Sequence, residues 1–570
     1  MAVSHQDVSL QDVSLQDVSH QDVCGQAYSE LAVGQWLPEG RGKVTDALRK
    51  GELTADVVVI GGGITGAGIA REAARRGLKT VLVERQDFAW GTSSRSSKMV
   101  HGGLRYMASG DIKTTLHSVH ERERLMREAP GLVDRMDYMM AHYRGQFPGP
   151  LLFNLLLFVY DTFAGKRYRK FVYRDELIKA APGIKTDSLM GGTCFSDAVT
   201  DDSRLVLRVL HEAMADGALC LNYMGVQGLI QEHETERVTG VNLCDGLRGE
   251  AFTLQAGVVI NATGAWADEL RGQLGAEHKI RPARGSHIVI PRERLPVKHS
   301  FTVLHPDDQR PIFIYPWESR TVIGTTDLDN GGIRNTEVGI TAEELAYLLK
   351  VTQYQFPGAN VVRGDVISSW AGVRPLVSSG AKNPSKEKRD HSIWEDNGLI
   401  SVSGGKLTTF RLIALDVLQH ASKYLNHYPQ QTFDETVFNP SPLPTSGDYG
   451  LSDEQLKRLY GFYGAAMKDV AGSEADNTLI NGTLTMWSEL RWAARNEAVM
   501  HLDDLLLRRT RLGLLLADGG LVDDESSEAI SAVCCQELGW SESRWQQEKA
   551  RYLDIWHRYY SLPQFARSAS

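Results

Sequence analysis

"DVVVIGGGITGAGIA", residues 56–70, decides the fold. Five of its fifteen residues are glycine, and a β-branched run passes directly into a small-residue, helix-like one. Gly61, Gly63 and Gly66 form G-x-G-x-x-G at that junction. Gly61 permits a sharp turn, Gly63 lets a pyrophosphate approach the backbone, and Gly66 lets the helix lie against the strand. The helix start then offers free N–H groups and a positive dipole end to an anion. "KTVLVER", residues 79–85, is a second buried strand, and Glu84 at its end can accept hydrogen bonds from ribose hydroxyls. Strand, turn, helix, strand and acid together predict a parallel α/β unit that seats a dinucleotide.

Two distant segments point to FAD in preference to NAD. "GVVINATGAWAD", residues 257–268, is an apolar strand that ends in the turn Ala262, Thr263, Gly264. "GLISVSGGKLTTFRLIA", residues 398–414, runs from a strand through Gly404 and Gly405 into a helix. A helix start beside a flavin ring would stabilise charge that builds up there on reduction. A nucleotide domain interrupted by a substrate domain suits FAD.

The chain has 570 residues, 42% hydrophobic and 23% charged, enough for a large core and more than one domain. A formal charge of −9 argues against a general nucleic-acid binder. The six cysteines contain no C-x-x-C pair, so we expect reduced thiols, no disulfide scaffold and no metal site. No segment approaches the roughly 20 apolar residues that span a bilayer, and no secretory signal is visible. Residues 4–23 repeat a polar pentapeptide four times, "SHQDVSLQDVSLQDVSHQDV", and predict a disordered leader over 1–50. We expect an α/β + α architecture: a Rossmann-like FAD-binding domain over about 51–130, 190–275 and 360–430, interrupted by a mixed-sheet substrate domain over about 131–189 and 276–359. "FNPSPLPTSGDYG", residues 438–450, reads as a linker. A helical domain follows over 445–570, with Ser452 and Gln455 as a capping box and "HLDDLLLRRTRLGLLL", residues 501–516, as an amphipathic helix.

"TSSRSSKMVHGGLRYM" (92–107), "GSHIVI" (285–290), "IGTTD" (323–327), "GVRPL" (372–376) and "GGKLTTFR" (404–411), in this order, resemble the FAD-dependent glycerol-3-phosphate dehydrogenases of the aerobic, respiratory type. The resemblance covers about residues 54–425, and the helical tail with "LLLRRTRLG" is also similar. It implies oxidation of sn-glycerol 3-phosphate to dihydroxyacetone phosphate, with FAD as hydride acceptor and a membrane quinone as electron acceptor. It implies that Ser96, Ser97 and Lys98 contact the flavin and its diphosphate, and that Arg105, Arg374 and Lys406 converge on the substrate. A phosphate monoester needs such fixed cations, because charge-assisted, bidentate hydrogen bonds hold it best. Tyr106 adds a hydroxyl. We assign Arg374 and Lys406 to catalysis as well, because cations around the reacting oxygen lower its pKa. His287 suits a general base, since imidazole titrates near neutrality. Asp327 either orients a catalytic cation or caps a turn.

"PLLFNLLLFVYDTFAGKRYRKFVYR", residues 150–174, sets an apolar run of about ten residues beside a cation cluster. It reads either as an interfacial contact with anionic lipid or as a core helix. We expect a cytoplasmic protein held peripherally at the inner face of the cytoplasmic membrane. A homodimer is left open. The competing readings are an oxidase that reduces oxygen, an amino-acid or 2-hydroxy-acid oxidoreductase of the same broad fold, and a non-enzymatic flavoprotein. Three candidate cations favour phosphate over the carboxylate of the second of these.

Overall fold

The structure is a computed structural model and describes residues 28, 30–37, 39–104, 107, 111–330, 337–378, 390–429, 435–442, 445, 448–472, 476–521 and 523–563. The pentapeptide repeats, Arg105 and Tyr106 lie outside the described residues.

The opening stretch folds as read. Thr54–Ile60 is a strand, Ile64–Ala74 a helix and Thr80–Val83 a second strand, paired in parallel with the first. Thr54–Ile60 also pairs in parallel with Ala251–Asn261, which pairs in parallel with Leu399–Gly404. Both faces of this sheet are covered. Val57 and Val59 meet Ala67 and Ala70 of the first helix, while Val58 and Ile60 face the opposite core with Val44 and Leu48. The run is therefore continuously apolar, as a doubly covered parallel strand requires. Val44 and Leu48 belong to a helix, Gly40–Arg49. The expected leader thus ends earlier than residue 50. Trp36 is buried and donates its indole N–H to the Cys220 carbonyl at 2.9 Å. Burial of this apolar face orders the segment that its neighbouring repeats made look disordered.

Among the described residues the second sheet has ten strands, and Ile280–Pro291 lies next to one edge, paired with Ser368–Val377 on one side and Arg320–Gly324 on the other. Leu189–Thr200 pairs with Val133–Tyr143, and Ser368–Val377 pairs with Ile280–Pro291 over ten positions. Both had been expected within the FAD-binding domain. Their hydrogen-bond partners place them in the substrate sheet instead, so the domain boundary runs through 190–200 and 368–377. One face of this sheet packs Ile288, Ile290 and Ile323 against Leu345 and Leu348 of the Ala342–Gln355 helix. The other packs Val289, Tyr315 and Trp370 against Leu502, Leu505, Leu506 and Trp556 from the C-terminal helices. Each of these fully buried leucines contributes on the order of 2 kcal/mol.

The capping box forms: Ser452 Oγ accepts from the Gln455 N–H, and Gln455 accepts from the Ser452 N–H, opening helix Asp453–Tyr463. The stretch 501–516 is not an amphipathic helix. It is a π-helical turn, Asp504–Arg509, then Arg511 at φ 61°, then the short helix Leu512–Leu515. Every residue from 502 to 515 is buried, its arginines included. Five cysteines are described, all of them free.

Candidate active site

The parallel strands 54–60, 251–261 and 399–404 end at one edge of the first sheet, where their carboxyl-terminal turns line a cleft of about 270 Å³, open to solvent. Ligands of open α/β sheets bind at this edge. Gly61, Gly63, Glu84, Ser96, Ala262, Thr263, Gly264, Gly404, Gly405 and Lys406 line it. Gly66 does not. A Cβ there would sit 1.9 Å from the Gly61 carbonyl oxygen, so Gly66 closes the helix onto the turn. Gly61 has φ 113°, and a Cβ would meet the Ala262 carbonyl at 2.6 Å. Glu84 accepts from the Gly62 N–H at 2.7 Å and the Gln86 N–H at 2.8 Å; burial raises its pKa against those donors.

These residues fit FAD. At the start of the Ile64–Ala74 helix the Ile64 N–H donates to Ser93 Oγ at 3.0 Å, and Gly63 supplies no side-chain cap to the amides after it, which a helix N-terminus offers to an anion. The Trp266 indole N–H lines the cleft, buried and without a hydrogen-bond partner among the described residues. A buried donor of this kind is satisfied by a bound polar group.

Of the described substrate-side candidates, Lys406 lines the cleft and Arg374 adjoins its wall. Arg374 donates from Nη1 to Asp327 Oδ1 at 3.0 Å and from Nη2 to Thr325 Oγ1 at 3.0 Å. Asp327 therefore orients the cation. Arg310 donates to the Asp327 carbonyl at 2.9 Å and adds a second guanidinium. Pro375, next to Arg374, shares the cleft wall with Lys406. Lys406 Nζ donates to Ser118 Oγ at 2.9 Å, and Thr408 Oγ1 donates to the His101 carbonyl at 3.1 Å. Ser118 lies on the helix Ile112–Glu128, so Lys406 and the 101–104 segment that leads to Arg105 are neighbours.

His287 stands behind the cleft wall. It is 1% exposed, its ring stacks on Trp370 at 4.8 Å and 15°, and its Nε2 lies 2.9 Å from Ser97 Oγ. Burial first, then Arg374 and Lys98, push its pKa well below the ordinary range, so it is neutral near pH 7. Lys98 departs from the expected contact with a flavin diphosphate. Its ammonium is fully buried, donates to Asp202 at 2.8 Å and lies 4.6 Å above the Trp370 ring. Burial, then Arg511, lowers its pKa to about 8. Ser97 likewise points to His287 and not to the cleft.

Several residues of this site were not found from sequence. Thr325, Asp202 and Trp370 reach it only through pairing of remote strands and helices. Trp90 and Trp266 pack tilted at 5.8 Å on the cleft wall, and no motif signals such a pair.

Fold and cleft together define a flavin-binding oxidoreductase. Residues 56–411 match the family model of FAD-dependent oxidoreductases, and residues 423–545 match the C-terminal domain of alpha-glycerophosphate oxidase. An aerobic glycerol-3-phosphate dehydrogenase from Staphylococcus haemolyticus is 35% identical over 486 residues, 80% of this chain and 86% of that protein. One from Staphylococcus aureus is 33% identical over 482 residues, with the same shares covered. The solved glycerol-3-phosphate dehydrogenase of Bacillus halodurans, complexed with FAD, superposes with a TM-score of 0.72 at 27% identity, covering 92% of this chain and 98% of that one. The chain belongs to the FAD-dependent aerobic glycerol-3-phosphate dehydrogenase family.

Proposed function

We propose that the protein oxidises sn-glycerol 3-phosphate to dihydroxyacetone phosphate and delivers the electrons to a membrane quinone. The observation that supports this reading is a cation on the wall of the dinucleotide cleft, Lys406, with Arg374 adjoining that wall beside Pro375 and held by Asp327. A dianionic phosphate is recognised by such charged donors. FAD, when bound, accepts a hydride from the secondary carbon. Arg374, held by Asp327 and Thr325, binds and orients the anionic substrate. Lys406 lies beside the reacting oxygen and favours loss of its proton. The neutral imidazole of His287 is the form that accepts a proton, and it stands behind the cleft wall with its Nε2 2.9 Å from the hydroxyl of Ser97, the residue after the cleft-lining Ser96. The Trp90 and Trp266 rings exclude water from the wall.

The helix Pro150–Ala164 supports a membrane-docked protein. Leu151 is 88% exposed, and Leu152, Leu155 and Phe158 share its exposed face, while Phe153, Leu157 and Tyr160 are buried on the other. A contiguous exposed apolar face marks an interaction surface. Lys166, Lys170 and Arg174 beside it are exposed and suit anionic headgroups. The reading is of an interfacial contact; among the described residues no helix is long and apolar enough to cross a membrane. We place the protein on the cytoplasmic side of that membrane.

The similarity of 423–545 to an oxidase domain keeps oxygen as the alternative acceptor. Anaerobic mixing with glycerol 3-phosphate is expected to bleach the flavin, while glycerol, amino acids and 2-hydroxy acids do not. A flavin that stays yellow under glycerol 3-phosphate overturns the substrate. Reoxidation by a soluble quinone without peroxide supports the quinone; stoichiometric peroxide in air assigns oxygen.

A further inference from the structure

The loop Ser94–Lys98 presents Ser96 to the cleft and Ser97 to His287. Its backbone is held at several polar atoms. The Ser94 carbonyl accepts from Lys98 Nζ and from Arg511 Nη1, both at 3.2 Å. The Ser96 N–H donates to Asp202 at 2.8 Å, and the Ser96 carbonyl accepts from the Trp370 indole at 3.2 Å. The Ser97 carbonyl accepts from the Tyr315 hydroxyl at 2.8 Å. The Lys98 carbonyl accepts from the Thr200 N–H at 2.9 Å.

Two anchors come from the C-terminal helical domain, and neither lines the cleft. Arg511 donates from Nε to Asp201 at 3.0 Å and from Nη2 to Asp202, the carboxylate that holds Ser96 and Lys98. Arg511 and Lys98 balance Asp201 and Asp202 in a buried cluster, where an uncompensated charge would be costly. Arg511 keeps φ 61°, a conformation that persists when its surroundings dictate it. Tyr560 Oη accepts from Arg95 Nε at 3.2 Å and Nη2 at 2.9 Å. Its carbonyl accepts from the Ser369 N–H at 2.7 Å, one residue before the Trp370 that stacks on His287. Tyr560 thus touches both the loop and the strand that carry the Ser97–His287 pair.

We propose that Arg511 and Tyr560 are positioning residues: the C-terminal domain holds Ser94–Lys98 in the register that lets Ser97 meet His287 and Ser96 face the flavin cleft. The role in catalysis rests on the reading of the cleft given above. A reactive constellation loosened by a fraction of an ångström loses rate, even when the disturbance lies outside it.

The test uses the full-length holoprotein and two mild variants. Tyr560→Phe removes one oxygen and keeps the ring; Arg511→Lys keeps the charge and loses the fork. Loss of one hydrogen bond is expected to speed amide hydrogen exchange across 94–98 by about three- to tenfold, with the remainder of the chain unchanged. Anaerobic flavin reduction by glycerol 3-phosphate is expected to slow by about the same factor with KM within about twofold, and the flavin absorption band to shift. Exchange and reduction both within twofold of wild type overturn the proposal. So does exchange that rises evenly through the C-terminal domain, which is a purely structural effect, and so does a change in one of the two readouts without the other in a protein that wild-type controls show is reduced by the substrate. If wild type itself is not reduced by glycerol 3-phosphate, the substrate reading fails. Local exchange at 94–98 and the shifted flavin band then still decide the positioning role.

Discussion

In the proposed function, Arg374 is the side chain on which substrate recognition most depends. Its guanidinium is only 23% exposed and already oriented by Asp327 and Thr325, so binding an anion costs it little further ordering. Arg374→Ala is expected to lower kcat/KM for glycerol 3-phosphate by about 10²- to 10³-fold with FAD retained, and Arg374→Lys to recover only part, because an ammonium lacks the planar fork. Stopped-flow flavin reduction measures both, and equal rates for wild type and Arg374→Ala would remove this residue from the site. His287 leads to a pH prediction. Its folded pKa lies below the unfolded value, so between the two the unfolded chain binds more protons. Stability contributed by the neutral imidazole is complete above about pH 6.5 and is lost below it, at up to about 1.4 kcal/mol per pH unit. His287→Gln, a neutral replacement, should flatten the melting temperature between pH 5 and 7 relative to wild type; curves that stay parallel refute the assignment. The histidine in "GSHIVI" was legible as a candidate base. Its contacts were not, because the pairing of His287 with Trp370 joins strands more than 80 residues apart.

At the scale of elements, the strand–turn–helix over 54–74 was readable because each requirement is local: a doubly buried strand, a turn with φ 113° and a close helix approach. The helix Pro150–Ala164 was readable as apolar, but not as half exposed, since both its faces carry the same kind of residue. Its two faces should respond oppositely to mutation. Leu151→Glu with Leu155→Glu is expected to abolish sedimentation with anionic vesicles and to change stability by no more than about 0.5 kcal/mol. Leu157→Ala, at 0% exposure, is expected to cost about 2–5 kcal/mol and leave vesicle binding intact in the folded fraction. Vesicle binding unaltered by the glutamates would give the exposed face to a protein partner. The stretch 501–516 shows the converse failure. Three arginines beside leucines imitate an amphipathic pattern, yet Arg508 and Arg509 are buried with Asp87 as their shared partner.

At the scale of the molecule, that shared partner is what ties the C-terminal domain to the nucleotide domain. Asp87 follows the second strand of the opening unit, and Arg509 grips it through two hydrogen bonds of 2.7 and 2.8 Å. Against the burial that opposes ionisation, Arg509 and Arg508 keep the Asp87 pKa below its ordinary value. Its stabilising charge is present above the unfolded pKa near 4 and fades as pH falls towards the lower folded value. Asp87→Ala leaves two buried guanidinium groups without this partner and is expected to cost about 3–5 kcal/mol, read as a lower midpoint in thermal or urea unfolding. A midpoint unchanged within error would mean that Asp503, Asp504 and Glu497 suffice to hold the two arginines. Arg204 with Glu497, and Arg511 with Asp201 and Asp202, join the same two regions. By itself the sequence determined the dinucleotide seat, because glycine spacing, strand hydrophobicity and turn chemistry act over a few neighbouring residues, and its motifs carried the resemblance to the FAD-dependent family to which the chain belongs. Only the tertiary structure decided that Lys98 is buried behind the cleft, that 189–200 and 368–377 pair into the second sheet, and that Arg511 and Tyr560 of the C-terminal domain bond to the 94–98 loop. Those outcomes depend on which distant strands pair and which buried charges find partners, and such long-range choices leave no local periodicity in the chain.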